Sequence, residues 1–212
     1  MTPLNNPFDT LNEPISQRMV TGLAKICTAL RSQAWQGAES QGLTPTQGQI
    51  LALLRSVAGE GMRLSAIAEG LATSPATASD AVSSLVKKGL VSRERAVDDR
   101  RAIAIRLTAE GLQQAKQAAS WPDFLLDAVN ALSLEEQTIF FKGLTTIIRE
   151  LQEQNKIPVA KMCVTCHYFD PHVYDDPARP HHCKLVDAPF GDRDLRLDCP
   201  EHLSKRQTEA SL

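Results

Sequence analysis

No apolar run in this chain of 212 residues approaches the roughly 18 residues of a membrane span, so no membrane partner is expected. Residues 1–13 lack the basic start and apolar middle of an export signal. The expected location is therefore the cytoplasm, where thiols stay reduced and cysteines read as ligands or sensors rather than disulfides. Cysteine and histidine are nearly missing from the first 160 residues: Cys27 is the single exception, and no histidine precedes His167. No phosphate-cradling glycine loop and no nucleophile–base constellation is apparent, which argues against an enzyme. Net charge is small as well, at −2.

That small net charge hides an asymmetry. Between Val82 and Leu107 seven basic residues (Lys87, Lys88, Arg93, Arg95, Arg100, Arg101, Arg106) face three acidic ones. From Thr108 onward, 11 basic and 16 acidic residues leave a net of −5. A local basic patch on a mildly acidic chain is the footprint expected of phosphate-backbone binding, although a charged solvated face has the same composition.

Helical periodicity dominates the first 155 residues. Ile15, Met19, Leu23, Ile26 and Leu30 recur at spacings of three and four, which predicts a long amphipathic helix from about Pro14 to Glu39. Cys27 sits on or beside that apolar face, where a cysteine is more often inert than redox-active. Thr44-Pro45-Thr46-Gln47 combines an N-cap, a first-turn proline and a glutamine at the third position, a capping-box start for a second helix. A short helix is expected around Ser65–Leu71. Another starts at Ser74-Pro75 and ends at Gly89, where a left-handed residue is wanted. Two such helices joined by a short turn suggest a helix-turn-helix.

Leu90–Ala96 and Ala102–Leu107 then alternate around Asp98-Asp99-Arg100-Arg101, which predicts a β-hairpin with a charged tip. A hairpin directly after a recognition-type helix is a wing, and its arginines can reach a minor groove or phosphates. Thr108-Ala109-Glu110-Gly111 opens the next helix, expected to run to Leu132 with a break near Pro122. Ser133-Leu134-Glu135-Glu136 is a second capping box, and Ile139, Phe140, Leu144, Ile147, Ile148 and Leu151 follow as an apolar stripe.

At these residues the chain resembles the MarR family of bacterial transcriptional regulators. The resemblance rests on Leu64-Ser65-Ala66-Ile67-Ala68, Ser74-Pro75-Ala76-Thr77-Ala78-Ser79, Lys87-Lys88-Gly89-Leu90-Val91, and Asp98-Asp99-Arg100-Arg101 followed by Leu107-Thr108-Ala109-Glu110-Gly111. It implies a homodimer that binds double-stranded DNA at a pseudo-palindromic operator, more often as a repressor. In that scheme Ser74, Thr77 and Ser79 begin the recognition helix. Arg100 and Arg101 match wing arginines, supported by Asp98 or Asp99. The chain departs from the family pattern at Asp80, with Ser83 and Ser84 beyond it, where a basic residue is frequent. Bidentate guanine readout has no arginine there, so phosphate contacts from Lys87, Lys88, Arg93, Arg95 and the wing are expected to carry the affinity. Asp80 either accepts from a cytosine amino group or pairs within the motif. The resemblance also implies a small-molecule effector site, for which Arg31, Trp35 and Arg63 are candidates.

The last fifty residues are different in kind. Cys163, Cys166, Cys183 and Cys199 follow the spacing C-x2-C-x16-C-x15-C, all five histidines fall in the same stretch, and prolines and glycines interrupt any helix. Four thiols with one tight Cys-x-x-Cys point to a bound centre. Tyr168, Phe169, Tyr174, Leu185, Phe190 and Leu197, interleaved between them, suggest a small core. The lone Cys-x-x-Cys and the Cys199-Pro200 ending favour an iron–sulfur cluster; zinc is the commoner folding staple and stays open beside it. His167, His182 or His202 could replace one thiolate.

The expected fold is mainly α with a small β-wing and a loop-rich metal-binding tail. Its parts are a dimerisation helix over 1–43, a winged helix-turn-helix over 44–111 and C-terminal dimerisation helices over 112–157. A four-cysteine module over 158–204 and a disordered tail over 205–212 follow. The expected function is a DNA-binding regulator responsive to redox state, iron or a small ligand. An iron–sulfur electron-transfer protein on a winged-helix scaffold and a zinc-braced protein-interaction adaptor are the alternatives.

Overall fold

A computed structural model of the chain describes residues 14–57, 61–96, 101–158 and 160–205. They form two compact units, the first ending at Phe124 and the second beginning at Leu125. Among the described residues no helix is long and apolar enough to cross a membrane.

The first unit opens with α1 (Ile15–Ser40), followed by α2 (Pro45–Ser56), β1 (Met62–Arg63), α3 (Leu64–Gly70) and α4 (Pro75–Lys87). Strands β2 (Val91–Arg95) and β3 (Ile103–Leu107), helix α5 (Ala109–Ala119) and a 3-10 turn at Trp121–Asp123 complete it. The expected capping box at the start of α2 is present: the Gln47 amide donates to Thr44 Oγ1 at 3.3 Å, and the Thr44 amide donates to Gln47 Oε1 at 3.2 Å. Thr44→Ala removes one half of this exchange and is expected to cost about 1 kcal/mol, read as a lower urea midpoint. Gly89 closes α4 at φ +70°, and the Leu90 amide reaches back to the Leu85 carbonyl at 3.0 Å, the geometry that favours glycine there.

The core lies where these helices meet. Ile50, Leu51 and Leu54 from α2 pack with Ile67 of α3, Ala78, Val82 and Leu85 of α4, Val91 of β2, Ile105 of β3 and Ala115 of α5. The sheet is antiparallel in the order β1-β3-β2, with Val91 opposite Leu107, Arg95 opposite Ile103 and Met62 opposite Ile105. The two-residue β1 was not legible in the sequence, because it is too short to show alternation. Helix α5, grouped by sequence with the C-terminal helices from residue 112, instead packs on α2 within this unit.

The expected break near Pro122 is the 3-10 turn, after which α6 (Phe124–Asn130) and α7 (Leu134–Glu153) follow. Ser133 and Glu136 form the second capping box, and the hydrogen bonds from Ser133 hold the Glu136 carboxyl below its usual range. Beyond α7 come a 3-10 turn at Cys163–Thr165, β4 (Phe169–Asp170), β5 (His181–Cys183), β6 (Ala188–Phe190) and a 3-10 turn at Asp192–Asp194. The three strands pair antiparallel in the order β4-β5-β6. The stretch expected to be loop-rich thus contains a small sheet, whose strands are too short to reveal a period of two.

Its core also differs from the expected set. Cys166, Phe169 and Leu195 are buried together, with Phe141 of α7, Tyr168 and Phe190 packed against them. Leu195 takes the buried position expected of Leu197, while Tyr174 and Leu185 are exposed. Of the stretch expected as a disordered tail, residues beyond Lys205 lie outside the described ones.

Two long helices leave apolar side chains uncovered in a single chain. On α1 only Ala38 is buried, whereas Ile15 (69 % exposed), Met19, Val20 and Ile26 face outward. On α7, Leu134, Ile139 (67 % exposed) and Phe140 do the same. In each helix these side chains are spaced like a helical core yet exposed in the single chain.

Candidate nucleic-acid interface, groove and thiol cluster

Helix α4 starts where Ser74 accepts the Thr77 amide at 3.1 Å, with the two hydroxyls 2.8 Å apart. Ala78, Val82 and Leu85 turn inward, so Ser74, Thr77, Asp80 and Lys87 stay exposed and Ser79 and Ser83 are half-buried. Asp80 makes no hydrogen bond or ion pair that involves another described residue in the contacts around α4. Strand β2 lies beside α4, and a guanidinium nitrogen of Arg93 donates to Ser83 Oγ at 2.8 Å. Arg93 and Arg95 alternate onto one face of β2 and are both exposed. The structure therefore brings Thr77, Asp80, Ser83, Lys87 and Arg93 onto one continuous solvent-facing surface. Such a surface can present short polar groups to base edges while cations meet phosphates.

Lys88 is placed differently. Its ammonium donates to the Gly42 carbonyl and to Gln47 Oε1, so it ties α4 to the start of α2 instead of standing free for phosphate. Gln47, 5 % exposed, completes that tie by donating from Nε2 to Ser84 Oγ at 3.0 Å. Its role between helices was hidden in the sequence, where only its capping position could be read. Asp98, Asp99 and Arg100, expected at the wing tip and its support, lie outside the described residues; Arg101 is exposed at its edge.

A groove of about 520 Å³ opens in the same unit, lined by Cys27, Leu30, Arg31 and Trp35 of α1, residues of α2, and Trp121 and Pro122. Arg31 and Trp35, two of the expected effector candidates, meet there. Arg63 does not, since it sits on β1 paired with Ala104. Cys27 is exposed and not set into a buried stripe, because the apolar face of α1 is itself uncovered.

In the tail, all four cysteines line one small cavity of about 30 Å³, together with Tyr168, Phe169, Leu185, Phe190 and Glu201. Separate backbone ties hold them. The Cys163 amide donates to the Arg196 carbonyl at 3.0 Å and the Cys199 amide to the Lys161 carbonyl at 2.9 Å, while Cys183 is in the ladder opposite Phe169 and Ala188. The Arg196 amide donates to Cys163 Sγ at 3.3 Å. Burial pushes the Cys163 thiol up, the Arg196 hydrogen bond opposes this, and negative charge on Cys199, Cys166 and Cys183 adds to the rise. Among the described residues, no three histidine, cysteine, aspartate or glutamate side chains are drawn together into a formed ion site. The sulfurs share a cavity without converging.

The histidines have other occupations. His181, 3 % exposed, accepts the His172 amide at Nδ1 (3.3 Å), so its Nε2 carries the proton and donates to Asp192 Oδ1 at 3.0 Å. That hydrogen bond, helped by Lys142 at 3.6 Å, holds the Asp192 carboxyl below its usual range. His182 lies between Tyr174 Oη and Asp187. His202 pairs with Thr165 Oγ1 at 3.0 Å, and burial holds its imidazole below the usual range. None of His167, His182 and His202 lines the thiol cavity. The module is fastened to α7 by Phe141, by the Lys142–Asp192 pair and by Arg193 Nε donating to Thr138 Oγ1 at 2.8 Å.

No curated protein sequence matches the chain. The MarR family profile matches residues 41–102, the stretch from the turn before α2 to the residue before β3. Among solved structures, AbsC, a MarR family transcriptional regulator from Streptomyces coelicolor, is similar with a TM-score of 0.57 and 24% identity, over 67% of this chain and 97% of that one. MepR of S. aureus in complex with DNA is similar at 0.54 and 26% identity, over 62% of this chain and 97% of that one. CouR from Rhodococcus jostii RHA1, bound to p-coumaroyl-CoA, has the same fold at 0.54 and 18% identity, over 70% of this chain and 98% of that one.

Proposed function

We propose, for a chain whose residues 41–102 form a MarR-family winged-helix domain, that it is a transcriptional regulator binding double-stranded DNA as a homodimer. The operator is a pseudo-palindrome, and the regulator acts as a repressor. The observation that carries the reading is the shared surface of α4 and β2, where Arg93 and Lys87 flank the exposed Thr77 and Asp80. Dimerisation is supported by the uncovered apolar side chains of α1 and α7. Neither an electron-transfer protein nor a protein adaptor accounts for the cations set beside the recognition helix.

With no arginine in the middle of α4, phosphate contacts supply most of the affinity. Anisotropy of a labelled fragment from the DNA upstream of the chain's own gene, titrated across salt, tests this. Binding should weaken steeply with salt, and Lys87→Ala and Arg101→Ala should each flatten the log–log slope by about one unit per subunit. Absence of binding at low salt overturns the reading.

The groove beside α1 favours a second element of the function. Two indoles, Trp35 and Trp121, and the Arg31 guanidinium suit a small aromatic anion, whose binding would bias the spacing of the two recognition helices. The four tail thiols are read as holding a metal centre, an iron–sulfur cluster or zinc, braced against α7.

A further inference from the structure

We infer that Asp80 is the base-reading side chain of α4 and that it selects cytosine, accepting a hydrogen bond from the cytosine amino group in the major groove. The inference rests on the reading of the α4–β2 surface as the DNA-binding face, and it names the base that face recognises.

Most other polar side chains of α4 already have partners. Ser74 and Thr77 are engaged in the cap, where the Thr77 amide donates to Ser74 Oγ at 3.1 Å and the two hydroxyls lie 2.8 Å apart. Ser83 Oγ accepts from Arg93 at 2.8 Å, and Ser84 Oγ accepts from Gln47 at 3.0 Å. Ser79 is half-buried beside the inward-facing Ala78. Lys87, in the last turn, is a compact cation suited to phosphate. Asp80 alone combines full exposure with a carboxylate to which no described residue donates.

Its place on the helix fits the role. Spacings of four, three and four put Ala76, Asp80, Ser83 and Lys87 on one side of α4. Asp80 stands in the second turn, with the Arg93 guanidinium held one turn further along at Ser83. Cations at that end can meet the phosphates while the earlier turns of the helix lie over base edges.

The carboxylate then chooses its base by chemistry. Phosphates repel it, so it costs affinity unless it receives a hydrogen bond, and an ionised carboxylate can only accept. In the major groove only cytosine N4 and adenine N6 carry amino donors; guanine presents acceptors, and thymine an acceptor and a methyl group. Adenine sets its N7 acceptor beside the amino group, where the second carboxylate oxygen would meet a lone pair. Cytosine has no acceptor of its own on that edge. A side-chain amide would reverse the preference, donating to adenine N7 while accepting from N6.

The test selects bound sequences from a pool of randomised duplexes, using the full natural chain, Asp80→Ala, Asp80→Asn and Lys87→Ala. Anisotropy then measures single-base variants of the selected site. The natural chain should require cytosine at one position of each half-site, with any other base there weakening binding by about tenfold or more. Asp80→Ala should lose that preference alone and bind the altered sites at least as tightly as the natural chain does. Asp80→Asn should move the preference to adenine. Lys87→Ala should weaken binding to all sequences alike. An unchanged cytosine preference in both Asp80 variants overturns the role of Asp80. A natural preference for another base at the position these variants alter overturns cytosine. Either result leaves DNA binding standing, whereas a natural chain that retains no duplex at low salt overturns that reading and the inference together.

Discussion

Gly111→Ala is expected to destabilise the winged-helix unit by about 3 kcal/mol or more, enough to shift its urea midpoint strongly or prevent its accumulation. The direction opposes helix propensity, since alanine in place of glycine within a helix usually gains up to about 1 kcal/mol. Gly111 sits in the first turn of α5, where its amide donates to the capping Thr108 hydroxyl at 3.0 Å. A Cβ at this position would stand 1.8 Å from the Leu90 carbonyl oxygen. That oxygen cannot swing aside as a side chain could. It accepts from the Thr108 amide at 3.1 Å and from the Thr108 hydroxyl at 3.2 Å, and Leu90 is itself buried behind α4. Making room would pull the start of α5 away from the turn that joins α4 to β2. Equilibrium unfolding followed by circular dichroism reads the effect; an unchanged or raised midpoint would refute the close approach.

The second large effect centres on Trp121. Its ring lies against two glycines, one on each helix beside it: a Cβ at Gly48 of α2 would come within 2.0 Å of the ring, and one at Gly37 of α1 within 2.5 Å. The indole N–H donates to Gln41 Oε1 at 3.0 Å, and Gln41 Nε2 donates in turn to Gln114 and Gln117 of α5. Trp121→Ala should therefore cost about 3 kcal/mol, less than the largest buried-tryptophan losses because the ring is only half-buried. Gly48→Ala should cost about 2 kcal/mol in the natural chain. In a Trp121→Ala background the same change has no ring to meet, and α2 regains the propensity of alanine, so it should be neutral or stabilising. A double-mutant cycle measures the coupling; additive effects would show that the ring is not what excludes a side chain at position 48.

These two sites show where reading the residues alone succeeded and where it stopped. Thr108-Ala109-Glu110-Gly111 was legible as a helix start, because the capping hydroxyl and the spacing are local. That its glycine meets the Leu90 carbonyl was not, since the contact joins residues 21 apart in the chain. The break near Pro122 was equally legible, but nothing local said that Trp121 would wedge between α1 and α2. Lys88 illustrates the converse: its composition suits phosphate, yet its ammonium goes to Gly42 and Gln47.

The amino-acid sequence by itself determined the winged-helix order, the caps of α2, α4, α5 and α7, the glycine that closes α4, and the presence of four thiols in a tail poor in other core residues. Each of these depends on interactions within a turn or on a period of a few residues. Only the tertiary structure decided which cations reach the surface beside α4 and that Arg31 and Trp35 share a groove with Trp121. It also decided that the four cysteines, brought from three separate segments, line a single cavity of about 30 Å³. Side chains far apart along the chain acquire a common environment only when packing brings their backbones together.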